Sequence, residues 1–107
     1  MDLQEKFGAV RKGLLEFAVL RAIAGETLYV AELLKRLAGT EFATQEGTLY
    51  PLLSRLRREQ LVDYEWRESG AGPPRKYYRL TGTGQRALAE LQGYWNHLTE
   101  TLDRIGK

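Results

Sequence analysis

In Leu61-Val62-Asp63-Tyr64-Glu65-Trp66-Arg67 the chain abandons a helical period for strict alternation. Val62, Tyr64 and Trp66 fall on one side of an extended segment and Asp63, Glu65 and Arg67 on the other, the pattern of a strand with one buried face. Beyond it, Gly70-Ala71-Gly72-Pro73-Pro74 concentrates turn residues, and Arg75-Lys76-Tyr77-Tyr78-Arg79-Leu80 reads as a returning strand. The two make a β-hairpin with a tip too long for a two-residue turn. Tyr77 and Tyr78 point to opposite faces of their strand, one toward the core and one outward.

Everything upstream of the hairpin is helical in period. Phe7, Val10, Leu14, Phe17, Leu20 and Ile23 recur at helical spacing, and Leu15, Ala18 and Val19 widen the stripe, predicting a largely buried helix over 7–24. Gly25 stops it. A second helix is expected over Tyr29–Ala38, with Val30, Leu33, Leu34 and Leu37 inward and Gly39-Thr40 ending it. A third carries Leu49, Leu52, Leu53 and Leu56 on its inner face and runs to about Gln60, with Thr44 as N-cap. Pro51 allows two readings of its start. Either the helix begins at Thr44 and tolerates a proline whose ring crowds the carbonyl of Gly47, or the regular helix begins at Thr48 and Pro51 sits in its first turn.

Downstream of the hairpin, Thr81 or Thr83 caps a last helix reaching about Ile105. Along it Leu88, Leu91, Trp95, Leu98, Leu102 and Ile105 are spaced 3-4-3-4-3, an a/d seam. A helix over 82–105 is about 36 Å long at ~1.5 Å per residue, too long for so small a body to cover. A second copy of the chain is the simplest cover for its apolar edge, with the first helix a possible contributor.

Three helices, a two-stranded wing and a long helix give an α+β, mostly α fold, the winged helix-turn-helix arrangement, whose third helix conventionally enters the major groove of DNA. The 107 residues suit one such body, and 43% hydrophobic residues suffice for a core. A net charge of +2 is compatible with nucleic acid without demanding it. Cysteine is absent, which removes disulfides, thiolate metal sites and a cysteine nucleophile. The sole histidine, His97, has no metal-ligating cluster beside it, and no phosphate loop or nucleophile motif occurs, so neither an enzyme nor a bound cofactor is expected. Without a secretory signal at its start or an apolar run of about 20 residues, the chain is expected in the cytoplasm, away from membranes.

Glu46-Gly47-Thr48-Leu49-Tyr50-Pro51 followed by Leu52-Leu53-Ser54-Arg55-Leu56 resembles the recognition-helix motif of the PadR family of bacterial transcriptional regulators. Gly72-Pro73-Pro74-Arg75-Lys76-Tyr77-Tyr78-Arg79-Leu80-Thr81, with Gly84 following, resembles that family's wing strand and the start of its last helix. The blocks stand in the family's order and spacing, and the single last helix is similar to its short-tailed subgroup. Where the family often has His-Gly-Tyr-Glu, this chain has Tyr29-Val30-Ala31-Glu32 and matches only at Glu32.

The resemblance implies a homodimeric, sequence-specific DNA-binding regulator, with residues 1–81 forming the DNA-binding unit and 82–107 the dimerisation helix. Opposite the leucine face lie Tyr50, Ser54 and Arg58, flanked by Gln45, Thr48 and Arg55, all able to hydrogen-bond bases or phosphates. Patterning alone favours an ordinary solvated face there; the resemblance reverses that weighting. On the wing, Arg75 and Lys76 suit phosphate or minor-groove contact, or else merely balance Asp63, Glu65 and Glu68. A dimer implies a pseudo-palindromic operator in double-stranded DNA with half-sites about one turn apart.

In some PadR-like regulators an aromatic-lined pore at the dimer interface binds flat compounds and loosens the grip on DNA. The resemblance thus implies Trp95 as a stacking platform for a planar aromatic effector, against the plainer reading that Trp95 fills the dimer core. Repression is expected over activation, because blocking polymerase needs no further contact surface. The competing reading is a winged-helix protein-interaction module that never touches DNA. Arg55, Arg58, Arg75 and Lys76 separate the two readings, since their partner ought to be an anion.

Overall fold

The computed structural model describes residues 1–107. In chain order it has α1 (Leu3–Lys6), α2 (Gly8–Gly25), α3 (Val30–Leu37), α4 (Glu46–Arg58), β1 (Val62–Arg67), β2 (Arg75–Leu80) and α5 (Gly82–Ile105). The winged-helix order read from the sequence stands, with one addition. The single turn α1 is capped by Asp2, whose carboxylate accepts from the Gln4 and Glu5 amides.

Helices α2, α3 and α4 meet around Val19, Leu20, Ile23, Val30, Leu33, Leu37, Leu49, Leu53 and Leu56, closed by Val62 and Tyr78 from the hairpin and Leu88 from α5. The first turns of α2 depart from expectation. Phe7, the residue before the helix, and Val10 are 46% and 43% exposed and stay outside the core.

Helix α4 settles the reading of Pro51. Its N-cap is Gln45, not Thr44, and Pro51 lies inside the helix rather than in its first turn. The reason is energetic. Leu49, Leu53 and Leu56 are fully buried, at about 1.5–3 kcal/mol each, and together they outweigh the ~3 kcal/mol cost of a mid-helix proline. The helix ends in a Schellman turn, with Gln60 left-handed (φ 64°). The Gln60 amide bonds the Arg57 carbonyl at 2.9 Å and the Leu61 amide bonds Leu56 at 3.0 Å.

The hairpin is antiparallel, pairing Val62 with Leu80, Tyr64 with Tyr78 and Trp66 with Lys76. Gly70 takes φ 78° at its tip, a conformation that glycine adopts without steric cost. Tyr78 is the inward tyrosine. It also exchanges two backbone bonds with Leu28, at 2.8 and 3.1 Å, which seats the wing against the loop before α3. Trp66, expected on the buried face, is 61% exposed: it lies near the end of the strand, past the helices that cover Val62 and Tyr64.

Thr81, rather than Thr83, caps α5. Its hydroxyl donates to the Gln60 carbonyl at 2.6 Å and accepts from the Gly84 amide at 2.9 Å. Gly84 is buried so tightly that a Cβ placed there would lie 1.9 Å from the Leu61 carbonyl oxygen. The start of α5 is therefore locked onto the corner between α4 and β1. Leu88, expected on the intermolecular seam, is taken up by the protomer's own core, and Leu91 packs against it. Farther along, Trp95 and Leu98 are each 37% exposed, and Leu102 and Ile105 are 68% and 74% exposed. This projecting arm stretches the molecule to 57 × 32 × 21 Å and its radius of gyration to 15.8 Å, against about 13 Å for a compact chain of this length. No helix is long and apolar enough to cross a membrane.

Candidate nucleic-acid interface

The three leucines that bury one side of α4 turn Tyr50, Ser54 and Arg58 to the other, and all three are exposed, as are Gln45 and Thr48. Arg55 behaves differently. Its guanidinium meets Glu59 one turn on at 3.0 Å and Glu16 of α2 at 3.5 Å. The hydrogen bond to Glu59, assisted by the charge of Glu16, holds its pKa above the ordinary guanidinium value. Arg55 is thus engaged within the protein, bracing α4 against α2, whereas Arg58 has no carboxylate within ion-pair distance.

The charges of the hairpin fall into two sets. Around the acids of β1, Arg79 lies 4.0 Å from Asp63 and 3.6 Å from Glu65, while Arg67 lies 2.6 Å from Glu65. Those arginines do balance the strand's acids. Arg75 and Lys76 do not, since neither pairs with a carboxylate. Each rests on aromatic rings instead. The Arg75 guanidinium carbon is 4.4 Å from the Tyr29 ring centre, and the Lys76 ammonium is 4.6 Å from that of Tyr64.

Between the C-terminal half of α4 and the wing runs an open cleft of about 450 Å³, lined by Ser54, Arg57, Arg58, Asp63, Tyr64 and Lys76 among others. Three cations face one carboxylate there. Arg57, which sequence reasoning passed over, lies 3.6 Å from Asp63 and stacks 4.6 Å from the centre of Tyr64. Its only advance signal was its place in the run Arg55-Leu56-Arg57-Arg58. A second cleft of about 490 Å³ joins the start of α4 to the wing and brings Tyr50 near Trp66, Arg75 and Lys76. The recognition-helix and wing residues, apart in sequence, are therefore gathered on one side of the molecule. Gln45 and Thr48 stand at the start of α4, outside both linings.

Trp95 sits elsewhere. It lines an apolar groove of about 710 Å³ with Leu14, Phe17 and Ala22 of α2, Phe42 and Gln92, and Arg21 and Arg36 also border it.

Residues 19–90 match the model of the transcriptional regulator PadR-like family. A solved PadR-like transcription factor from Bacteroides fragilis is 42% identical, with a TM-score of 0.81 over 94% of this chain and 98% of its own. A PadR family transcriptional regulator from Eggerthella lenta is 35% identical, with a TM-score of 0.84 over 94% of this chain and 88% of its own. An uncharacterized protein of Lysinibacillus sphaericus is 30% identical over 95 residues, 86% of this chain and 87% of that protein. On the family match and the shared fold together, the chain belongs to the PadR-like family of transcriptional regulators.

Proposed function

We propose that the protein is a homodimeric, sequence-specific DNA-binding repressor that inserts α4 into the major groove and lays its wing on the adjacent backbone. The observation that carries this reading is the set of cations left without carboxylates. Arg58 on α4 and Arg75 and Lys76 on the wing share one side of the molecule, while the other cations of the hairpin are neutralised. A polyanion bound across that side supplies what they lack.

Tyr50, Ser54 and Arg58 then face the bases or phosphates, with Gln45 and Thr48 at the entering end of the helix. Arg55 holds α4 at its angle rather than touching DNA. Residues 1–81 carry the contacts to DNA and 82–107 carry dimerisation, through Trp95, Leu98, Leu102 and Ile105 with Leu91 at the inner edge. The exposed apolar arm of α5 supports that division. A planar aromatic effector stacked on Trp95 and bordered by Arg21 and Arg36 would act where α2 and α5 meet; since Glu16 of α2 pairs with Arg55, displacement of α2 bears directly on α4.

A salt titration of duplex binding tests the assignment. Arg58→Ala and Lys76→Ala are each expected to weaken binding and lower the salt slope by about 1, with Arg55→Ala lowering affinity at unchanged slope. Unchanged affinity and slope in both Arg58→Ala and Lys76→Ala contradict it. Protein-interaction modules of this fold need no phosphate contacts and show no such slope.

A further inference from the structure

Trp66 is the largest side chain that the protomer leaves on its wing, and the core makes no use of it. It pairs across the hairpin with Lys76, and Tyr64 lies two residues before it on the same face. The Tyr64 and Trp66 rings meet edge to face, 6.1 Å apart at 88°. The Lys76 ammonium lies over both rings, 4.6 Å from the centre of Tyr64 and 5.4 Å from that of Trp66. It thus occupies the corner formed by two perpendicular rings, facing the cleft beside α4. No carboxylate comes within ion-pair distance of it.

We infer that Tyr64 and Trp66 form a rack that pre-orders the Lys76 ammonium for a backbone phosphate, making Trp66 a positioning residue for DNA binding. This rests on the proposed DNA-binding reading. A lysine ammonium is a flexible, strongly hydrated charge that loses considerable rotamer freedom when it docks. Ring faces attract it without neutralising it, so the charge stays whole for an incoming phosphate while the ordering cost is met before binding. A carboxylate in the same place would order the lysine and also compete with the phosphate. The opposite face of the hairpin has that other arrangement, with Arg67 and Arg79 on Glu65.

The test is a double-mutant cycle on the full chain, read by anisotropy of a labelled duplex chosen by selection from a random pool. Trp66→Leu, which keeps apolar bulk and removes the ring face, is expected to weaken binding about 3–5-fold. Trp66→Phe restores most of that loss, and Trp66→Leu adds nothing in a Lys76→Gln background. Equal losses for Leu and Phe, or a full loss persisting in the Lys76→Gln background, overturn the inference, because Trp66 then touches DNA itself or serves only the fold. A second readout needs no DNA. The Lys76 side-chain protons should be shifted upfield by the rings in the free protein and return toward ordinary positions in Trp66→Leu. Ordinary shifts in the unmodified protein refute the rack outright. Failure of the unmodified protein to bind any duplex strikes instead at the reading of the protein as a DNA binder.

Discussion

Replacing Gly84 by alanine tests the geometry on which the wing's placement depends. An added Cβ at this position meets the Leu61 carbonyl oxygen at 1.9 Å and the Leu61 carbonyl carbon at 2.9 Å. Ordinary contact begins near 3.4 Å, so helix α5 and the α4–β1 corner must separate by about 1.5 Å. Both partners are backbone, and no flexible side chain can yield in their place. Overpacking of this kind costs about 1–3 kcal/mol. The movement also pulls Thr81 from the Gln60 carbonyl that it meets at 2.6 Å, a hydrogen bond that contributes about 1 kcal/mol. Alanine's better helix propensity returns at most about 1 kcal/mol. The net loss is about 1–3 kcal/mol, a drop in Tm of roughly 5–20 °C for a domain of this size.

Gly93 on the same helix is the control, because a Cβ there meets nothing within 4 Å. Gly93→Ala should raise Tm by a few degrees. Thermal unfolding followed by far-ultraviolet circular dichroism, at one fixed protein concentration because association shifts Tm, reads both. A Gly84→Ala protein melting within about 2 °C of the unmodified chain refutes the close approach of α5 to Leu61.

Leu102→Asp, on the part of α5 that the protomer leaves bare, is expected to convert dimer to monomer in sedimentation velocity at micromolar concentration while leaving the helical spectrum intact; persistence of dimer moves the interface elsewhere. Tyr78 titrates upward because burial disfavours its phenolate, with Tyr50 and Tyr64 adding to the effect. Its neutral form therefore contributes stability that is full below the unfolded value near pH 10 and is lost as pH rises through the higher folded value. Tyr78→Phe should flatten the fall in unfolding free energy above about pH 10, and identical alkaline slopes contradict the assignment. Arg55→Ala is expected to lower duplex affinity through loss of the brace to Glu16, and Glu16→Gln to produce a smaller loss in the same direction; an effect of Arg55→Ala without any from Glu16→Gln places Arg55 on the DNA instead.

The parts of the fold legible in the sequence were those written as a period. Leu49, Leu53 and Leu56 announce α4 despite Pro51, and the alternation from Val62 announces the wing, because burial of one face imposes its spacing on the chain. The contacts that fix the angles between elements carry no period. The Leu28–Tyr78 bridge is a single pair of backbone bonds. The tight packing of Gly84 shows in sequence only as a glycine near a helix start. Trp66 continues the apolar alternation, yet no element lies over it, and coverage is a property of the assembled body.

The candidate site was legible in the same uneven way. Helical geometry places Tyr50, Ser54 and Arg58 outward, and the structure agrees. Which cations are free depends on where the acids of other elements arrive. Glu16 reaches Arg55 from another helix and Asp63 reaches Arg57 from the wing, neither of which spacing along α4 reveals. The seam on α5 was visible as a heptad pattern, but the same pattern serves the protomer at Leu88 and is left bare at Leu102.

Selection of bound duplexes from a random-sequence pool, with footprinting of the winners, tests the central claim most directly. The expected outcome is a pseudo-palindrome whose two half-sites are protected about one helical turn apart, each lost on Arg58→Ala. A purified dimer that enriches no sequence and holds no duplex even at low ionic strength contradicts the account.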